Sequence, residues 1–236
     1  MVEAVLFDWG HTLMDWVWDE ELLVAGHAAG LRAIGREDAE ITKHFREVYE
    51  PLFWSHGTME ELEYPPLVRQ LLSDQGIEVS DDELERFLEA EHVAWRPALQ
   101  MGSTTHALLE SLRNRGLKLG LVSNGFDPPA LLHRDLGAAG VAERIDYAIF
   151  SSELGKRKPH PEIFQRALGA LDVRPEAAVF VGDRLYEDVR GASEVGMKTI
   201  QALWFRADEN PDGVEPDFQA FTQMDVLNVV RRLNGE

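Results

Sequence analysis

The sequence predicts an α/β fold, a doubly wound parallel sheet interrupted near its start by an all-helical insert. Three observations point there. Short apolar runs that stop abruptly at polar residues recur along the chain, and stretches of helical periodicity separate them. Between Met14 and about Met101 the pattern is helical without evident strands.

Val2 to Phe7 is apolar, β-prone and too short for a helix. It ends in Asp8-Trp9-Gly10, so it reads as a buried strand that delivers Asp8 to its end. The insert follows, with helical patterns over Glu20 to Leu31, Ile41 to Phe53, Leu67 to Leu72 and Leu84 to Ala94. It leaves and re-enters the core near Asp8, which places it to close over that residue as a lid. Ser103 or Thr104 can cap a helix through Arg115 that Gly116 terminates. Leu117 to Val122 is the next strand and runs into Ser123-Asn124-Gly125. Tyr147 to Phe150 follows and runs into Ser151-Ser152-Glu153. Pro161 suits the first turn of a helix through Leu171. Ala177 to Val181 then runs into Gly182-Asp183, and Thr199 to Leu203 is a fifth strand. Parallel strands that end in polar residues bind ligands at their carboxyl edge. The division that follows is a core of residues 1–14 and 101–236 and a helical cap of residues 15–100.

Composition narrows the function. Hydrophobic residues make up 44% of the 236 and charged residues 28%, ordinary for a globular chain with a sizeable core. Against 42 Asp and Glu stand 23 Lys and Arg, a formal net charge of −19. That field repels nucleic acid and anionic lipid, and it opposes a phosphorylated substrate unless a cation, a lysine or backbone amides compensate locally. The chain has no Cys, which excludes disulfides, thiolate zinc sites and a cysteine nucleophile. With no bilayer-length apolar run and no basic leader before the first strand, a cytoplasmic location is expected, as a monomer or a homodimer.

Four segments line up in order: Asp8-Trp9-Gly10-His11-Thr12, Ser123-Asn124, Lys158-Pro159, and Gly182-Asp183 with Asp188. In residue type and order they resemble the four motifs of the haloacid dehalogenase (HAD) superfamily, over Val2 to about Leu203. The insert looks like that family's C1-type cap. The resemblance implies a Rossmann-like core and a Mg2+-dependent hydrolase acting on a small phosphorylated metabolite through an aspartyl-phosphate on Asp8. A carboxylate attacking a phosphoryl group meets charge repulsion, which a bridging divalent cation relieves. The resemblance assigns Asp8, Asp183 and the Gly10 carbonyl as metal ligands, with Asp188 holding a metal-bound water. Ser123 and Asn124 would bind the phosphate, Lys158 would neutralise charge developing during transfer, and Thr12 would orient Asp8 or its loop.

One position departs from the pattern. The family's phosphatases carry a second Asp two residues after the nucleophile, as general acid and base, and Gly10 stands there instead. Three explanations stay open. His11, Asp15 and Asp19 are the candidate substitutes, and a histidine side chain as such suits the role. The substrate could instead have a leaving group that needs no proton. Or the chemistry differs: a phosphonate hydrolase would need a cap lysine, for which Lys43 is the sole choice, whereas a haloacid hydrolase would need no metal. A chain that binds a phosphometabolite without turnover is also compatible with Gly10. Among the six Trp residues, Trp9, Trp16 and Trp18 cluster at motif one and suggest an aromatic pocket beneath the cap.

Overall fold

The computed structural model describes residues 1–17, 20–54 and 58–236. Six parallel strands form the main sheet: β1 (Ala4–Phe7), β4 (Lys118–Ser123), β5 (Tyr147–Phe150), β6 (Ala178–Gly182), β7 (Lys198–Ala202) and β8 (Phe218–Ala220), in the order β5-β4-β1-β6-β7-β8. The central strands β1 and β6, short and buried along their whole length, hold because helices cover both faces. Side chains alternate along β1. Val5 and Phe7 face one core with Leu108, Leu109 and Leu112 of α5 (Thr105–Arg113) and Val226 and Val230 of α10 (Asp225–Leu233). Ala4 and Leu6 face the other, with Ile163, Phe164, Ala167 and Leu168 of α8 (Pro161–Leu171). The sheet is doubly wound, as expected.

This topology decides where ligands can sit. From β1 the chain moves outward through β4 to β5, then crosses back to β6 and continues to β8. That reversal lies at β1, and the crevice outside the carboxyl ends of the strands opens there. Phe7 pairs with Leu121 on one side and Val181 on the other, so Asp8, Ser123 and Asp183 emerge along one edge.

Between β1 and β4 the insert contributes α1 (Glu20–Ala33), α2 (Ala39–Trp54), α3 (Tyr64–Asp74) and α4 (Asp81–Trp95). Ser80 caps α4 in a full capping box with Glu83. The four helices bury their own cluster, which includes Phe45, Tyr64, Phe87 and Trp95. Close approach of α1 to α4 depends on Gly26 and Gly30. A Cβ at 26 would run into the Trp95 indole, and one at 30 would lie 2.8 Å from the Phe87 ring.

The insert is joined to the sheet domain by two strands the sequence pattern did not reveal. These are β2 (Met14–Trp16) and β3 (Leu99–Met101), paired antiparallel. Three residues are too few to show a period of two. It is also clasped elsewhere. Arg157 N donates to the Met59 carbonyl at 2.9 Å, Glu61 N donates to the Gly155 carbonyl at 3.0 Å, and Lys156 pairs with Glu60. A third contact is buried: His92 of α4 sits between Asp127 and Asp135, the latter on α6 (Pro129–Ala138).

Two further differences have local causes. Helix α5 ends at Arg113, not Arg115, and Thr104 does not cap it; its hydroxyl donates to Gln223 Oε1 at 2.7 Å. Strand β8 and helix α10 lie beyond the last strand expected. Among the described residues no helix is long and apolar enough to cross a membrane.

Candidate active site

Asp8 follows β1 directly, its amide donating to the Val181 carbonyl at 2.9 Å, so the strand end holds the carboxylate in the crevice, nearly buried. Asp183 follows β6, and Asp188 lies five residues on, within a π-helical turn (Leu185–Arg190) and not at a regular helix start. Gly182 makes that turn possible, since a Cβ there would collide with the Asp188 carboxyl. Arg184 N donates to Asp188 Oδ2 at 2.9 Å and fixes its direction.

Asp8, Asp183 and Asp188 each offer an oxygen within 4.8 Å of the others, all three buried. Three buried carboxylates at this spacing repel unless cations intervene. Lys158 reaches Asp8 Oδ1 at 2.6 Å and Asp188 Oδ1 at 2.7 Å. Burial by itself would lower the Lys158 pKa, but the Asp188 and Asp8 charges outweigh it and hold the ammonium above the usual lysine range. Burial pushes Asp188 up, to about 8, with Asp8 and Asp183 adding to the rise against the pull of Lys158. Asp183 is pushed up by burial and by Asp8, opposed by Arg206, whose Nε lies 2.5 Å from Asp183 Oδ2. Hard oxygen donors at this density and this unrelieved repulsion fit a divalent cation such as magnesium.

These groups line a cavity of about 200 Å³, together with Gly10, His11, Ser123, Asn124, Arg157, Arg184, Glu187 and Arg206. Its formal charges balance, four carboxylates against Arg157, Lys158, Arg184 and Arg206. His11, in a left-handed conformation at φ 54°, has Nδ1 2.9 Å from Asp15 Oδ1. Because a carboxylate can only accept, Nδ1 carries the proton and Nε2 is the basic nitrogen. Asp15 thus orients His11 and does not line the cavity itself.

Other expected residues fall differently. Asn124 lines the cavity, but its amide is engaged by the main chain of Lys158: Oδ1 accepts from Lys158 N at 2.7 Å, and Nδ2 donates to Lys158 O at 3.3 Å. It positions the lysine. Ser123 is buried, and among the described residues its Oγ makes only a long bond, at 3.4 Å, to the Asn124 carbonyl. The Thr12 hydroxyl has no hydrogen-bond partner among the described residues, while the Thr12 carbonyl accepts from Trp204 Nε1 at 2.9 Å and Gln223 Nε2 at 3.1 Å. What anchors this loop is therefore its main chain.

The aromatic-pocket expectation needs correction. Among the described residues none from 15–100 lines the cavity. Trp9 is buried in the sheet-domain core and Trp16 packs against it, because both indoles find more apolar contact there than in a charged crevice. Trp18, Asp19 and the Trp54 side chain lie outside the described residues. Lys43 is exposed on α2, 3.9 Å from Glu47 and remote from the crevice, which removes the Schiff-base candidate for phosphonate cleavage. Arg157, Arg184, Glu187 and Arg206 were not expected. Arg206 lies in an irregular segment with no periodicity to mark it; Arg184 and Glu187 flank Asp183 and Asp188 and were legible as neighbours only.

Comparison with known proteins agrees with this geometry. A family model described as haloacid dehalogenase-like hydrolase matches residues 2–196. A glyceraldehyde 3-phosphate phosphatase of Methanopyrus kandleri is 29% identical over 99% of both chains. A phosphoserine phosphatase of Thermus thermophilus is 39% identical over 48% of this chain and 44% of its own. Among solved structures, a 2-haloacid dehalogenase from Pseudomonas syringae superposes with a TM-score of 0.71 at 24% identity, covering 99% of this chain and 100% of its own. A HAD phosphatase from Thermococcus onnurineus gives 0.67 at 24% identity, covering 97% and 98%. Both structural likenesses speak for the fold alone.

Proposed function

The chain belongs to the haloacid dehalogenase-like hydrolases, and from that premise we propose that it is a magnesium-dependent phosphatase of small phosphorylated metabolites, with Asp8 as nucleophile and residues 15–100 as its cap. The observation that carries this reading is the buried convergence of Asp8, Asp183 and Asp188 around Lys158. Without a cation, the four carboxylates and four basic groups of the cavity sum to zero. With magnesium bound there is room for two negative charges, which a phosphomonoester dianion supplies.

Asp8, Asp183 and the Gly10 carbonyl would hold the ion, with Asp188 holding one of its waters. Bound there, it offsets the repulsion between the nucleophile and the phosphoryl oxygens. Lys158 presents its ammonium to the same oxygens, and Ser123 donates its hydroxyl. Asp8 Oδ attacks phosphorus, the bond from phosphorus to the leaving oxygen breaks, and an aspartyl-phosphate forms. His11, held by Asp15 through its Nδ1–H, enters this step as the imidazolium and gives the Nε2 proton to the departing oxygen, which leaves Nε2 unprotonated. The same nitrogen then takes a proton from the water that attacks phosphorus, which releases inorganic phosphate and restores the Asp8 carboxylate. His11 is thus the substitute for the carboxyl that Gly10 lacks.

The experiment is a screen of phosphorylated metabolites, acetyl phosphate, phosphonoacetaldehyde and 2-haloacids, with and without magnesium. Phosphate release that requires magnesium and disappears in Asp8→Asn is expected. Turnover that survives Asp8→Asn overturns the mechanism, and halide release without magnesium overturns the reaction.

A further inference from the structure

A second cavity, of about 600 Å³, adjoins the first, and Arg184 and Glu187 line both. Its far wall is the segment around residues 208–214, tied in place by Asp208, whose Oδ2 accepts from Leu185 N at 2.9 Å. Asn210 stiffens that wall by bonding Val214 through both its amide atoms, at 2.7 and 3.0 Å. The floor carries Leu185 and Tyr186, and the Tyr186 ring is held by Arg190, 5.3 Å from its centroid.

Building on the phosphatase reading, we propose that this cavity is the leaving-group site. The substrate's organic part runs past Arg184 and Glu187 toward residues 208–214, and is a hydroxyl- or amine-bearing group without negative charge. Three features carry this. The first cavity has the volume of a phosphoryl group with a few atoms attached, so a larger leaving group must leave it, and the shared wall is where the two spaces meet. The first cavity's charge is balanced once a cation and one phosphate dianion are in place, which leaves nothing to neutralise a second anion. Beyond Arg184, the second cavity adds Asp208, Glu209 and Asp212 and, among the described residues, no further basic residue. A carboxylated leaving group would therefore meet uncompensated repulsion, whereas hydroxyls and ammonium groups find acceptors and an aromatic face.

The test uses three open-chain 6-phosphates of matched size: glucosaminitol 6-phosphate, sorbitol 6-phosphate and 6-phosphogluconate, which differ in carrying an ammonium, a hydroxyl or a carboxylate. Release of phosphate with magnesium should favour the first two over the third by about tenfold or more in kcat/KM. The exposed pair Glu209→Lys/Asp212→Lys should narrow or invert that ratio. Binding of the same compounds to Asp8→Asn, by calorimetry with magnesium, should show the same order and needs no turnover. Equal binding of all three, or an order untouched by the charge reversal, overturns the leaving-group site. If no ester is turned over but the binding order holds, the site stands and the hydrolytic reading falls.

Discussion

Restoring the missing carboxyl with Gly10→Asp is the most direct probe of how this site handles protons. A Cβ at position 10 meets no atom within 4 Å, and the backbone there is not left-handed, so the aspartate side chain can begin at this position without strain. Its charge would join Asp8 and Asp183; at roughly 5 Å and an effective dielectric near 20, each such pair costs about 3 kcal/mol, which bound magnesium offsets. A positioned acid or base is worth about 10²–10⁴ in rate, or about 3–5 kcal/mol of barrier. If His11 already fills the role, Gly10→Asp adds little to the otherwise unchanged chain. In the His11→Gln background it should recover most of a loss of about 10²-fold or more. The assay is kcat/KM with magnesium on two esters: an alkyl phosphate, whose leaving oxygen must be protonated, and p-nitrophenyl phosphate, whose leaving oxygen need not be. His11→Gln should depress the first far more than the second. Equal depression of both, or no recovery on adding Gly10→Asp while the magnesium-dependent rise in melting temperature persists, refutes the reasoning.

Other predictions concern stability. His92 is pushed up to about 9: burial opposes its charge, but hydrogen bonds to Asp127 and Asp135 outweigh it. Asp135 also pairs with Arg96 at 3.2 Å. A raised folded-state pKa means that the stabilisation is fully present below about 6.5 and is lost as pH climbs through about 9, with an upper limit of about 3 kcal/mol. Melting curves from pH 6 to 10 should show that loss in the native chain and not in His92→Gln; parallel curves would count against the buried clasp. Magnesium at a hundred times its dissociation constant should stabilise the protein by about 2.7 kcal/mol. Asp183→Asn should abolish that increment, and an undiminished rise would remove Asp183 from the ligand set. Gly26→Ala should destabilise the protein by about 1–3 kcal/mol through its clash with Trp95, read by denaturant unfolding; a neutral change would mean that α1 and α4 can separate.

What sequence could reveal here followed the range of its signals. Tyr147–Phe150 and Pro161–Leu171 were legible to the residue, because an apolar run or an N-terminal proline is a local statement. Asp8, Ser123 and Asp183 were legible as the polar ends of parallel strands, which share one edge, whereas Lys158, in the loop before α8, was legible only through the resemblance to the family's motifs. Asp15 appeared as a possible acid, yet its part is to orient His11, a distinction that depends on β2, a strand too short to leave a pattern. Arg206 carries no local signal: its meaning is the 2.5 Å contact with Asp183, across 23 residues of chain. The indoles near motif one misled for the opposite reason, since aromatic density marks burial more often than a pocket.

The insert's clasp to the segment before Lys158 bears on how the enzyme breathes. A cap attached only through β2 and β3 could swing as a door on one hinge. Here the stretch 59–61 is laced to 155–157, and Ser151 joins by pairing with Glu61 while it accepts from Gly125 N at 2.8 Å. The insert is fastened a second time here, and this fastening lies beside the two loops that present Lys158 and Ser123. Tilting the helices would drag those loops along, so movement of the insert and integrity of the anion cradle are mechanically one event.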